Sequence, residues 1–279
     1  MQLFEKRDYK TQLKPLIKSI GNKVIATPDM SRDIVAFTGR YIEPFVGGGT
    51  MFFYKNPTNA IINDIDENYI RFYHDFAKDP LAFYREAKEL AEKHEENIRL
   101  SIEDGLAGDV RNSDMFYDFR EELNNGDYSD YSFAAKFFYV SRSSGGIKYN
   151  LKGKIAANYS RLDKLRIDFN RDHGRLLAQT TIMQGDFEKA FELATKDDFL
   201  FIDPPPYKGD KKKRFYPFTE EDHLRLADAF KNTKAKAAIL LNENDFLLNL
   251  YKSAASVKYT VGSDNSKRVV TLATNYTLF

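Results

Sequence analysis

Four apolar residues run straight into three prolines: Phe199-Leu200-Phe201-Ile202 is followed by Asp203-Pro204-Pro205-Pro206-Tyr207. A short, uninterrupted apolar run bounded by breakers is the pattern of a strand buried on both faces. Proline has no backbone N–H to offer a neighbouring strand, so the ladder must stop at Pro204. The run therefore predicts a buried strand whose carboxyl end is a rigid corner. Prolines stiffen that corner and turn main-chain carbonyls outward beside the Asp203 carboxylate. A carboxylate and a carbonyl so placed are paired acceptors for an exocyclic amine, and the adjacent Tyr207 is a surface on which a base can stack. A plain polyproline turn carrying a surface Asp is the alternative, and it gives no reason for the fully apolar strand ahead of it.

A second junction of this kind lies earlier. Tyr41–Val46 reads as a strand that enters Gly47-Gly48-Gly49-Thr50, and glycines at a strand-to-helix turn let a ligand approach the backbone closely. The spacing is neither the dinucleotide fingerprint nor a P-loop, and a tight turn that merely packs a helix on a sheet would need similar residues. Ala60–Asn63 is a further strand, closed by Asp64. A carboxylate there can accept hydrogen bonds from ribose hydroxyls, while Asp64 and Asp66 are equally suited to cap the following helix. Thr180–Met183 leads into Gly185-Asp186-Phe187, where Asp186 either meets a ligand base or caps a helix. Strands are also expected at Ala237–Leu241 and Val269–Tyr276, and Thr219 before Glu220, Glu221 and Asp222 signals a helix start.

This alternation predicts a doubly wound α/β domain from residues 1–66 and 179–279, interrupted by a mainly helical insertion over 67–178. In the insertion, Ile70, Tyr73 and Ala77 share one helix face. Phe83–Leu100, Ser113–Leu123, Ser132–Tyr139 and a segment from about Arg161 to Leu177 are further helices. Ser141–Tyr159, with Gly145-Gly146 and Lys152-Gly153, reads as a β-hairpin with exposed basic residues. Ligands of such sheets bind beyond the carboxyl ends of the strands, where both the glycine and the proline motifs are expected.

Composition removes several chemistries. The chain of 279 residues has no cysteine, so disulfides, zinc–thiolate sites and cysteine nucleophiles are excluded. His74, His94, His173 and His223 show no metal-ligand spacing, and no metal is expected. No apolar run approaches the ~20 residues of a bilayer span. Residues 1–10 are polar and charged, unlike a signal peptide. These features suit a cytoplasmic protein. The net charge is +1, which does not speak against DNA, since binding needs only a basic face. Two clusters could supply one: Lys208, Lys211, Lys212, Lys213 and Arg214, and Arg142, Lys148, Lys152, Lys154 and Arg161. Solvated surface charge is the plainer reading of either.

In their order along nearly the whole chain, these motifs resemble the Dam-like DNA adenine methyltransferases. Lys18-Ser19-Ile20-Gly21-Asn22-Lys23 resembles that family's N-terminal cofactor motif. Glu43-Pro44-Phe45-Val46-Gly47-Gly48-Gly49 resembles its methionine-binding loop. Asn63-Asp64-Ile65 resembles the ribose-binding segment, Gly185-Asp186-Phe187 the segment beside the cofactor adenine, and Asp203–Tyr207 the catalytic Asp-Pro-Pro-Tyr. Thr274-Asn275-Tyr276 matches a recurrent strand ending.

The resemblance implies a Rossmann-like methyltransferase sheet with helices on both faces and a DNA-recognition insertion carrying the hairpin. It implies methyl transfer from S-adenosylmethionine to the N6 amino group of an adenine flipped out of duplex DNA. Asp203, Pro204, Pro205 and Tyr207 would be catalytic. Lys18, Gly21, Lys23, Glu43, Pro44, Phe45, Gly47, Gly48, Gly49, Asp64, Asp186 and Phe187 would hold the cofactor. Arg142, Lys148, Tyr149, Asn150 and Lys152 would contact DNA. A bacterial, archaeal or phage-encoded setting is expected, and a cognate restriction endonuclease could act separately. The third proline departs from the family pattern: either Tyr207 still stacks on the base or Pro206 occupies the aromatic slot, and Tyr207 is favoured. The departure also leaves open a catalytically impaired DNA-binding member of the fold, while the corner itself would suit an amine of RNA or a protein amide.

Overall fold

The apolar runs fold into a seven-stranded sheet. The computed structural model describes residues 12–19, 27–207, 215–261 and 267–278. The strands are β1 (Tyr41–Glu43), β2 (Ala60–Asp64), β3 (Thr180–Gln184), β4 (Phe199–Ile202), β5 (Lys236–Asn242), β6 (Ala255–Val261) and β7 (Arg268–Thr274), in the order β3-β2-β1-β4-β5-β7-β6. The first five of that order are parallel, β7 is antiparallel to β5, and β6 is antiparallel to β7.

Strand alternation sorts the core into two faces. Ile42, Leu200, Ile202, Ile239 and Leu241 pack with Leu226, Ala227 and Phe230 of α9 (Glu220–Asn232), Ala190 of α8 (Glu188–Glu192) and Leu247 of α10 (Asp245–Leu250). The alternate residues Tyr41 and Phe199 stack on each other, Phe37 stacks on Phe199, and Tyr276 packs on Phe199. Two more helices of this part are α1 (Thr27–Arg32) and α2 (Thr50–Lys55).

The strand order places one position apart from the rest. From β1 the chain moves to β2 on one side, and from β4 it moves to β5 on the other. The order reverses between β1 and β4, and a crevice opens beyond the carboxyl ends of such a pair. Tyr41 lies opposite Phe199 and Ile42 opposite Leu200, so the two strands end side by side. Their amino ends are locked together by Asp198, which is buried. It accepts from the Arg40 backbone N–H at 2.6 Å, the Arg40 guanidinium at 2.8 Å and the Thr195 N–H at 2.8 Å. Gly39 donates to the Asp197 carbonyl, and a Cβ there would overlap Asp198 Oδ1 and the Asp197 main chain.

Two compact units divide the described chain: Met1–Pro15, Lys23–Ile70 and Arg175–Phe279 form the first, Leu16–Asn22 and Arg71–Gly174 the second. The boundaries fall inside α3 (Glu67–Lys78) and α7 (Arg171–Ala178). The second unit is built on α4 (Pro80–Glu103), α5 (Val110–Asn125) and α6 (Phe133–Arg142). Its core is aromatic: Phe72, Phe76, Phe83, Phe137 and Phe138 are all buried, in edge-to-face and tilted contacts.

Several sequence expectations need correction. The helix expected from Arg161 is confined to Arg171–Ala178. The Leu162 carbonyl is held by His94 Nε2 at 2.7 Å and Leu165 is buried, so residues 161–170 are anchored as irregular chain. Asn170 then starts α7 by accepting from the Asp172 N–H. The hairpin over Ser141–Tyr159 is shorter and looser than expected. Ser141 and Arg142 end α6, and two isolated bridges, Ser144↔Tyr159 and Tyr149↔Ile155, stand where paired strands are expected. Tyr41–Val46 contributes only three residues to β1, because Pro44 cannot donate to a neighbour. The last strand ends at Thr274 rather than Tyr276, and β6 adds a strand beyond those expected.

Candidate active site

The loop after β1 and the corner after β4 both lie at the point where the strand order reverses. The glycine loop is pinned from β2. Val46 N–H donates to the Asn63 carbonyl at 2.9 Å, and Gly47 N–H donates to Asp64 Oδ2 at 2.8 Å. Asn63 Nδ2 donates to both the Pro44 carbonyl (3.0 Å) and the Gly185 carbonyl (2.9 Å), joining the loops after β1 and β3. Gly47 (φ 45°) and Gly49 (φ 69°) occupy the left-handed region, which a side chain would disfavour. That turn delivers the chain from β1 into α2 with Gly48 and Gly49 buried.

Three carboxyl groups gather here. Glu43 is buried and accepts from the Tyr41 hydroxyl at 2.8 Å. Burial pushes its carboxyl well above the usual range, against the Tyr41 hydrogen bond, and the charges of Asp203 and Asp64 push the same way as burial. Burial also raises Asp64, opposed by N–H donors of Asp66, Gly47 and Ile65. The second oxygen of Asp64 accepts from the Asp66 N–H at 3.0 Å, so Asp64 braces the glycine loop and the start of α3 together. Asp203 is half-buried, Pro204 buried, Pro205 half-buried and Pro206 exposed. The Tyr207 ring turns back onto Phe246, at 4.8 Å between centroids, and His223, at 5.5 Å, and its hydroxyl donates to Glu220 Oε2 at 2.9 Å.

Other site candidates sit in different company. Asp186 Oδ1 caps α8 through the Glu188 N–H and receives Arg225 at 3.0 Å. Phe187 is buried against Phe45 and Phe218, with the Arg225 guanidinium over its ring. Both residues therefore build the wall behind the Phe45 loop. Lys18 belongs to the second unit. Its ammonium donates to the Arg142 carbonyl at 2.8 Å, and its N–H donates to Ser141 Oγ at 2.7 Å. Burial and the nearby Arg142 charge hold Lys18 below the usual lysine range. Gly21 and Lys23 lie outside the described residues, as does the basic run Lys208–Arg214.

The basic segment of the second unit is a finger with a fixed base. Asn124 of α5 accepts from the Ile155 N–H at 2.7 Å and donates to its carbonyl at 3.0 Å, and Arg120 donates to the Ala157 carbonyl at 3.0 Å. Asn150 Oδ1 accepts from the N–H groups of Lys152 and Lys154, so Asn150 shapes the tip. Lys148, Leu151, Lys152 and Lys154 are exposed, and Tyr149 is half-buried. Arg142 is not on that surface. Its side chain is 18% exposed and lies 3.8 Å from Asp168.

Residues 19–263 match the family described as D12 class N6 adenine-specific DNA methyltransferase. The chain belongs to that family. Relatives of this adenine-specific methyltransferase include the type II methyltransferase M1.LlaDCHI of Lactococcus lactis subsp. cremoris, 28% identical over 88% of this chain and 84% of its own. The type II methyltransferase M.CviBI of Paramecium bursaria Chlorella virus NC1A is 24% identical over 88% of this chain and 90% of its own. The DNA adenine methylase of Haemophilus influenzae is 24% identical over 95% and 94%. The mixed sheet is the Rossmann-like α/β architecture expected of such an enzyme. Among the described residues, no helix of this methyltransferase is long and apolar enough to cross a membrane.

Sequence reasoning passed over Asn63 as a brace, although Asn at a strand end beside Asp is a visible hint. It also passed over the aromatic side chains after the proline corner. Phe215 is 40% exposed and packs on Tyr216, and Phe218 meets Phe45. Burial and the charges of Asp66 and Glu67 push the Tyr216 hydroxyl up to about 12.

Proposed function

We propose that this methyltransferase uses S-adenosylmethionine and methylates the N6 amino group of an adenine rotated out of duplex DNA. The observation that carries the reading is the meeting of the glycine loop and the proline corner at one strand-order reversal. The residues suit this donor. Asn63 Oδ1 is buried with no partner among the described residues, an acceptor in want of a donor. The carboxylates of Asp64 and Asp203, whose charges both act on Glu43, suit a cation. When bound, S-adenosylmethionine supplies an electrophilic methyl on a sulfonium. Pro44, Phe45 and Gly47–Gly49 would cradle its methionine part and Asp64 its ribose, with Asp186 and Phe187 beyond the adenine.

Asp203 and the Pro204 carbonyl would accept the two amino hydrogens of the target adenine. Holding both hydrogens turns the nitrogen lone pair away from conjugation with the ring, and Tyr207 would supply the stacking face. Positioning and fixed dipoles then provide most of the rate enhancement. The second unit is proposed to be the target-recognition insertion, with Lys148, Tyr149 and Lys152 as DNA contacts and Asn150 as the residue that shapes the tip. Lysines that touch only phosphate give affinity without sequence readout. A separately acting restriction endonuclease is a proposed companion, in keeping with the type II names among the relatives.

Purified protein with labelled donor and competing duplex DNA, RNA and protein tests the reading. Label should enter adenine of the duplex. Label in RNA or protein would transfer the same chemistry to another amine. No label in any of them, with duplex still bound, would mark a DNA-binding member without catalysis.

A further inference from the structure

The third proline raises a physical problem, because one added residue ought to displace the aromatic that follows. The corner solves it by burial. Pro206 is exposed, and Tyr207 comes back against the core of its unit. Its ring meets Phe246 at an interplanar angle of 39° and His223 edge-on at 85°. His223 is itself fixed. It is buried and T-stacked on Phe218 at 4.6 Å, and burial pushes its imidazole down to about 4, so the ring is neutral near pH 7. Phe246 and His223 thus make a stiff apolar wall.

An apolar wall sets the tilt of a ring but resists sliding only weakly, whereas a hydrogen bond is directional. At the side chain's far end the phenol O–H donates to Glu220 Oε2 at 2.9 Å, a directional contact. Glu220 opens α9, whose start is locked by a reciprocal capping box between Thr219 and Asp222. An acceptor on a rigid helix start is a sound fixed point.

Resting on the proposed role of Tyr207 at the target base, we propose that Glu220 is a positioning residue for methyl transfer: it holds the Tyr207 ring in plane, so that the three-proline corner still presents its aromatic to the flipped adenine.

The test is a double-mutant cycle in single-turnover methylation of an adenine-containing duplex. Tyr207→Phe keeps the ring and removes the O–H, and Glu220→Ala removes the acceptor. Each should slow the step about five- to tenfold, with duplex affinity within about twofold. The double variant should be no slower than either single variant, since both remove one contact. Glu220→Gln should recover at least about half the wild-type rate, because the amide oxygen accepts the phenol proton. It lacks the charge, so recovery also separates the hydrogen bond from the helix-dipole effect. Multiplying effects, a wild-type rate in Glu220→Ala, or a Gln variant as slow as the Ala variant would each overturn the proposal. A wild type that methylates while the cycle is additive removes this role alone. A wild type that transfers no methyl to adenine removes the functional reading and this role with it.

Discussion

The two ends of the β1–β4 pair make a sharp contrast. At the amino end, the buried Asp198 carboxylate is surrounded by donors. Burial disfavours its charge, yet the Arg40 side chain, the Arg40 N–H, and the Thr195 N–H and hydroxyl outweigh burial and hold it at about 2. At the carboxyl end, Glu43 is equally buried but stands among other carboxylates and rises well above its usual range. The same pair of strands therefore carries one carboxyl tuned for stability and one kept at a cost. Charges gathered with poor compensation point to function rather than folding.

The largest expected effect lies at the carboxyl end. Asp203→Ala should reduce methyl transfer about a thousandfold or more, roughly 4 kcal/mol of barrier, with donor affinity nearly unchanged by calorimetry. Near wild-type turnover would remove Asp203 from the chemistry. Next, Asp198→Asn should cost about 2 kcal/mol of unfolding free energy at pH 7 and leave the chemical step alone. Its carboxyl is lowered in the folded state, so its contribution is present above the unfolded value near 4 and disappears as pH falls through about 2. Denaturant midpoints of wild type and variant should converge over that window. A constant gap would show that charge is not the cause.

Asp64→Ala should weaken donor binding about tenfold or more, roughly 1.4 kcal/mol, since it also leaves the Gly47 N–H without its acceptor. An unchanged dissociation constant would break the ribose assignment. The smallest effect has the opposite sign. Glu43→Gln should raise ligand-free stability near pH 7 by about 1 kcal/mol. A carboxyl raised in the folded state gives full stability below its unfolded value near 4.5 and loses it as pH climbs toward the raised value. The advantage of the variant should therefore grow with pH above about 5. A destabilised variant at pH 8 would erase the contrast between the two strand ends.

The placement of the site at the carboxyl ends of these strands is legible in the sequence because it depends on breakers. A proline, whether Pro44 after β1 or Pro204 after Phe199–Ile202, has no N–H for the ladder, a run of glycines favours a turn, and strand ends are where such sheets bind ligands. What escaped was what depends on partners remote in sequence. Arg161–Leu177 carries a helical pattern, but its first half is claimed by His94 through the Leu162 carbonyl. Arg142 looked like part of an exposed basic cluster, yet it closes a helix and faces Asp168. The sequence leaves Asp186 between ligand and cap, and its Oδ1 accepts from the Glu188 N–H and from Arg225, whose partnership the sequence does not show. The departure at Pro206 is visible in the sequence, whereas the packing of Tyr207 on Phe246 and His223 is not.

The carboxyl end of β1 and β4 is proposed to methylate adenine in DNA. The most direct test is sequencing that detects N6-methyladenine in DNA from otherwise unmethylated cells expressing either the wild-type chain or Asp203→Ala. Methyladenine is expected at one recurring sequence context with the wild type and none with the variant. Unmethylated DNA from cells holding folded wild-type protein, or equal methylation with both, would contradict it.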